Sequence, residues 1–164
     1  MDISQYAVGA DGVDALSAYQ TTKFFCRHTS ITKDGCDRAA AEITGSPVTP
    51  TPVQGVGSYT VAADTTSQWP KVVQFCHSAL HFELANQAHQ TYGEFVPRCK
   101  AHGILADVYV YEMEFVPGVA FSRARRQLLA PTMEQQLLRT VHDFARSVGR
   151  TCPQHIVLVT DLKG

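Results

Sequence analysis

Two short stretches of this chain carry the side chains best suited to proton transfer. VYEMEF, at 110–115, holds Glu112 and Glu114. HSALHFELANQAH, at 77–89, holds His77, His81, Glu83 and His89. A positioned carboxylate or imidazole can move a proton in a transition state, and burial and neighbouring charge tune how readily it does so. Two apart in an extended segment, Glu112 and Glu114 share a face with Val110 and oppose Tyr109, Tyr111 and Met113. Two readings fit them: carboxylates on a pocket wall, or the solvent side of an edge strand. His77 and His81 stand four apart, a spacing that can bind a metal on a helix, but the companion ligands of a known metal motif are missing and no metal is expected. Cys76 is either a small apolar residue or part of a pocket wall; a reactive thiol would need a cation or base beside it. Arg123, Arg125 and Arg126 form the one basic cluster, readable as a solvated helix face or as a contact surface.

The elements that must position these groups follow from periodicity. Residues 11–29 read as a helix with an incomplete stripe of Val13, Leu16, Tyr19 and Phe24. Residues 34–44 read as a short helix capped by Asp34 and ended by Gly45. GSPVTPTPVQG, at 45–55, is an extended connector. Strands are expected at Ser58–Ala63, Lys71–Phe75 and Asp107–Phe115, with 64–70 as a hairpin loop between the first two and a short extended segment near Arg98–His102. A helix over about Ala79–Tyr92, with Leu80, Leu84 and Ala88 on one side, ends at Gly93. Tyr109 and Tyr111 are expected to be core against that helix. Phe121–Leu129 and Thr132–Val148 read as helices, the second with the better stripe. Ile156–Val159 is a short apolar run.

Size and composition narrow the function. The chain has 164 residues, enough for a hydrophobic core in one domain. A net charge of −1 gives no electrostatic footprint for nucleic acid or an anionic membrane. No apolar run approaches the ~20 residues that span a bilayer, and the first residues lack the basic flank and apolar core of a signal peptide. A cytoplasmic protein is expected. The five cysteines, at 26, 36, 76, 99 and 152, include no CxxC pair, which argues for free thiols.

Taken in order, CDRAA at 36–40, VQGVGSYTV at 53–61, KVVQF at 71–75, QTYGEFVPR at 90–98, VYEMEFVPGVAF at 110–121 and TVHDFAR at 140–146 resemble the N-terminal lobe of fungal aminoglycoside-phosphotransferase-like, or choline-kinase-like, proteins. The resemblance covers most of residues 34–148. It implies an α+β fold: a small antiparallel sheet with packed helices, as in a kinase-like N-lobe. Helical extensions would flank it, with 1–50 as arm and connector, 51–118 as sheet and helix, and 119–164 as a helical C-terminal segment of the same single domain. In the family the second strand ends in a basic residue that contacts nucleotide phosphate; here Cys76 occupies that place. The His-Gly-Asp loop and the later magnesium-holding Asp are absent from this sequence. Phosphoryl transfer depends on positioning and charge neutralisation, so autonomous phosphotransfer is not expected, nor any cofactor.

Kinase-like folds place a carboxylate early in the helix after that strand, and Glu83 holds this position without its basic partner. Such relatives accompany secondary metabolism. The resemblance therefore implies a repurposed pocket for a small apolar organic substrate. Glu112, Glu114, Glu83 and His77 would give acid–base help to a cyclisation, isomerisation or elimination, and Cys76, Gln74, Ser58 and Thr60 would line the pocket. The alternative is a non-catalytic kinase-like module that binds a partner or nucleotide. A lobe standing alone leaves its inner sheet face uncovered, which favours a homodimer.

Overall fold

Alternation of apolar and polar side chains along four segments drives the architecture. The computed structural model describes residues 10–28, 30–63, 70–93, 96–117 and 133–149. Residues 64–69 of the expected hairpin loop at 64–70, the helix expected at 121–129, the three arginines 123, 125 and 126, and the run 156–159 lie outside the described residues. The chain divides into two units, Met1–Gly118 and Val119–Gly164.

The first unit contains α1 (Ala10–Arg27), α2 (Lys33–Thr44), β1 (Val48–Pro50), β2 (Ser58–Ala63), β3 (Lys71–Cys76), α3 (Phe82–Tyr92), β4 (Cys99–Leu105) and β5 (Val108–Glu114). The strands form one open antiparallel sheet in the order β1-β2-β3-β5-β4. The α+β class and the three central strands agree with the expectation. The segment near Arg98–His102 is a full edge strand, and the Pro-rich connector contributes β1, a three-residue strand that ends at Pro50 as an edge tolerates.

The register sorts every side chain. Tyr59 faces Phe75 and Val61 faces Val73 across β2 and β3, while Phe75 faces Val110 and Val73 faces Glu112 across β3 and β5. Tyr59, Val61, Val73, Phe75, Val108 and Val110 are all fully or nearly fully buried, and they pack with Phe24, Ile31, Cys36 and Ala40 of the N-terminal region. Burying a Val or Phe side chain contributes roughly 1.5–3 kcal/mol, so this layer is the main source of stability. The helices that cover the sheet are thus α1 and α2. The expected packing helix, α3, buries none of its side chains, and Leu84 is 63 % exposed.

Local chemistry explains the element ends. Thr32, not Asp34, caps α2: its hydroxyl accepts from the Gly35 N–H at 3.1 Å, and Asp34 lies within the first turn. Gly45 ends α2 at φ 70°, where its N–H reaches the Ala41 carbonyl. The arm α1 is pinned by Ser17, whose hydroxyl donates to the Pro52 carbonyl and accepts from the Gln54 N–H. The Gln54 amide then acts as a strand partner for Thr60, accepting from its N–H at 2.9 Å and donating to its carbonyl at 2.8 Å. In the second unit, α4 (Glu134–Gly149) matches the helix expected at 132–148.

Tyr59 ties these parts together, since its hydroxyl donates to Asp37 Oδ1 at 2.7 Å from a fully buried ring. Tyr59→Phe keeps the ring and removes a hydrogen bond to a charged group, so urea denaturation is expected to show a loss of about 1.5 kcal/mol. An unchanged stability would mean that the bond is not formed in solution.

Candidate functional site

The face of the sheet opposite α1 and α2 is built from the alternate residues. Ser58 faces Cys76 and Cys76 faces Tyr109; Thr60 faces Gln74 and Gln74 faces Tyr111; Val72 faces Met113. The four expected pocket-lining residues, Cys76, Gln74, Ser58 and Thr60, are therefore brought together. The Gln74 amide donates to the Ser58 hydroxyl at 3.1 Å. Thr60, Gln74 and Tyr109 are half-buried, and Tyr111 is buried with its phenol oxygen accepting from the Leu80 N–H at 2.9 Å. Of the two tyrosines expected to be core against the helix, only Tyr111 is buried, and it is held by the segment leading into α3 rather than by the helix itself.

None of the β2, β3 and β5 residues on this face carries a charge. Cys76 is 6 % exposed, and its thiol is pushed up to about 11, first by burial and then by Cys99. At neutral pH it is a neutral thiol, poorly suited to nucleophilic chemistry. The end of β3 thus carries an uncharged, buried group.

The expected catalytic residues are distributed elsewhere. Glu112 lies on the other face, the one that α1 and α2 cover, because the register pairs it with Val73 rather than with Gln74. This corrects the assignment of Glu112 and Glu114 to one pocket wall with Gln74 and Ser58; strand alternation forbids it. Glu114 is exposed at the strand end, where it faces Lys71 across β3 and meets the Arg98 guanidinium at 3.8 Å. Glu83 is exposed in the first turn of α3. His77 sits at the opposite end of the sheet from Glu112, and its Nδ1–H donates to the Gly57 carbonyl at 2.9 Å. Because α3 begins only at Phe82, His77 and His81 do not share a helix face. Among the described residues no group of three His, Cys, Asp or Glu side chains could hold a metal ion.

Glu112 instead has partners from two neighbouring strands. The Lys71 ammonium binds Oε1, and His102 Nε2 donates to Oε2 at 2.7 Å. Burial pushes the Glu112 carboxyl up, but the hydrogen bonds and charges of Lys71 and His102 outweigh it and hold the group below the usual carboxylate range. His102 stands two residues after Lys100, which pairs with Glu112, and so shares its face; β4 is irregular there, for Ala101 pairs with Tyr111 and Gly103 with Val110, which makes His102 the extra residue of a bulge. Sequence reasoning weighed Glu112 and passed over His102. The glycine that follows it within a strand segment is the signal that marks a bulge.

A second polar cluster closes the other end of the sheet. Asp107, in the turn before β5, accepts from His28 Nδ1 at 2.7 Å and from the Ser30 hydroxyl. These bonds lower its carboxyl. The three side chains join the end of α1 to the β4–β5 turn; both donors point to the carboxylate, so there is no Ser–His relay.

No protein-family model, curated protein or solved structure matches the chain. The site's chemistry therefore rests on its own geometry. No helix among the described residues is long and apolar enough to cross a membrane.

The Glu112 arrangement has a pH consequence. A carboxyl whose native value lies below its ordinary 4.5 adds stability that is complete above that value and is lost as pH falls through the depressed native one. Glu112→Gln should lower stability at neutral pH by about 1–3 kcal/mol and flatten the acid limb of a stability–pH curve. An unchanged acid limb would mean that Glu112 is not ion-paired in solution.

Proposed function

We propose that the first unit is a kinase-like N-lobe that keeps its inner sheet face as a ligand surface without phosphoryl transfer. The occupant is an uncharged small organic molecule, held where such lobes hold nucleotide. One observation carries the reading. The face formed by Ser58, Thr60, Gln74, Tyr109, Tyr111 and the neutral thiol of Cys76 offers hydroxyl, amide and aromatic groups and no charge. Such a surface binds by shape, stacking and a few directed hydrogen bonds. It offers nothing to neutralise a triphosphate, which is the main demand of phosphoryl transfer.

Acid–base help to a cyclisation, isomerisation or elimination belongs to the same proposal only through groups that this face presents. Those are the hydroxyls of the half-buried Thr60 and Tyr109. Glu112 and Glu114 lie on the opposite face and would not reach a molecule bound there. The simpler form of the proposal is binding, with any reaction carried by orientation of the ligand.

Thermal melting of the full chain tests it, with Mg-ATP in one series and neutral aromatic natural products in another. A ligand at ~100 times its dissociation constant adds about 2.7 kcal/mol of stability. The expected result is no shift with Mg-ATP, a clear rise with a neutral ligand, and loss of that rise in Gln74→Ala. A rise with Mg-ATP would overturn the uncharged-ligand reading. A dimer in sedimentation velocity that Tyr109→Arg dissociates would instead give the face to a second copy of the chain.

A further inference from the structure

The bulged edge strand and the buried carboxylate make a second arrangement, on the sheet face away from the proposed ligand surface. Glu112 is 9 % exposed and can only accept hydrogen bonds when ionised. The neutral form of His102 therefore carries its proton on Nε2, the nitrogen that meets Oε2 at 2.7 Å. The tautomer leaves the lone pair on Nδ1, and among the described residues Nδ1 has no hydrogen-bond partner. The other carboxylate oxygen is clamped by Lys71, so the imidazole is held by a support that cannot turn away. Lys100 stands directly across from Glu112 in the register and is exposed on the same face. The His102 side chain retains 22 % of its exposure. A fixed imidazole with one free nitrogen, an orienting carboxylate and a nearby cation constitutes a proton-transfer unit.

We propose that His102 acts as a general base through Nδ1 on small carboxylic esters, with Glu112 as its positioning residue and Lys71 holding Glu112. The site lies open on an edge strand, so the reactant at hand is water, and hydrolysis is the reaction class. Nδ1 takes a proton from water while the water oxygen bonds to the ester carbonyl carbon. The carbon–oxygen bond to the alcohol then breaks, and the departing oxygen takes the proton from Nδ1. The products are a carboxylic acid and an alcohol, and the imidazole is restored. An anionic tetrahedral adduct is favoured by the Lys100 charge.

Hydrolysis of p-nitrophenyl acetate by the full chain, followed across pH, tests this together with nitrogen-15 NMR of the imidazoles. His102→Gln should lower the protein-dependent rate about tenfold, the low side of what a general base supplies. Glu112→Gln should lower it less and allow the proton to populate Nδ1 in the NMR signature. His142→Gln, which removes an exposed imidazole on α4, should leave the rate unchanged. Equal losses in His102→Gln and His142→Gln would overturn the proposal, because any surface imidazole would then do. So would a wild-type His102 with its proton on Nδ1, a reading that holds even where a Glu112 variant fails to fold.

Discussion

The burial of Tyr59 is the constraint on which the rest of the first unit depends. Its ring has no exposure and lies 5.0 Å from Phe25 of α1 and 6.3 Å from Phe75 of β3. Its hydroxyl reaches Asp37 of α2, and the Lys33 ammonium, paired with the same Asp37, lies 5.7 Å from the ring centroid. One side chain thus meets both covering helices and the next strand. A buried phenol must satisfy its hydroxyl, and the carboxylate that does so is on the helix that has to dock. Burial and the bond to Asp37 raise the phenol well above its ordinary range, so it remains a donor. The same environment pushes the neighbouring Cys36 thiol up to about 12, by burial first and by Asp37 and Asp107 after it. Cys36 is thereby a packing residue of α2.

With that face of β2 turned inward, strand geometry leaves no freedom for the other. Ser58, Thr60, Gln74, Cys76, Tyr109 and Tyr111 must point away from α1 and α2, and Glu112 must point toward them. The sheet therefore has one neutral polar face and one apolar face that ends in a charge. Glu112 falls on the side opposite Ser58, Thr60, Gln74 and Cys76 for the same reason that the core forms.

Strand positions could be read from the sequence because β-branched and aromatic alternation is strong in YTVAA, KVVQF and VYVYEMEF. Which face turns inward could not. Tyr109, Tyr111 and Met113 form as apolar a set as Val108 and Val110, and the choice is made by Phe24, Phe25 and Tyr59 at long sequence separation. Helix α1 shows why such contacts are hard to foresee. Its apolar stripe is incomplete, and it docks through Phe24 and the Ser17 hydroxyl rather than through a continuous face. The spacing Leu80, Leu84 and Ala88 suggested a buried helix face, yet α3 starts two residues after Leu80 and leaves Leu84 in solvent. Periodicity reports what could be buried, and only a partner surface decides what is. That Ser58, Thr60, Gln74 and Cys76 share a face was legible because residues directly opposite in a hairpin must do so.

Glu112 marks where the apolar layer stops. Along β5 the inward positions run Val108, Val110 and Glu112, and the last would be costly to bury alone. Its cost is met by one donor from each flanking strand, Lys71 of β3 and His102 of β4. The second donor stands two places after Lys100, the residue that pairs with Glu112, and so shares its face; β4 takes an extra residue there, before Gly103, whose φ of 92° suits glycine. An open edge strand needs some device against pairing with another chain, and a bulge beside a lysine is such a device. In β4 the residue at the irregularity that guards the edge is also the one whose imidazole meets the carboxylate, so edge protection and charge burial coincide at His102. Alternation from Lys100, which pairs with Glu112, turns His102 toward the Glu112 face, and the bulge then carries the strand on to Gly103 opposite Val110.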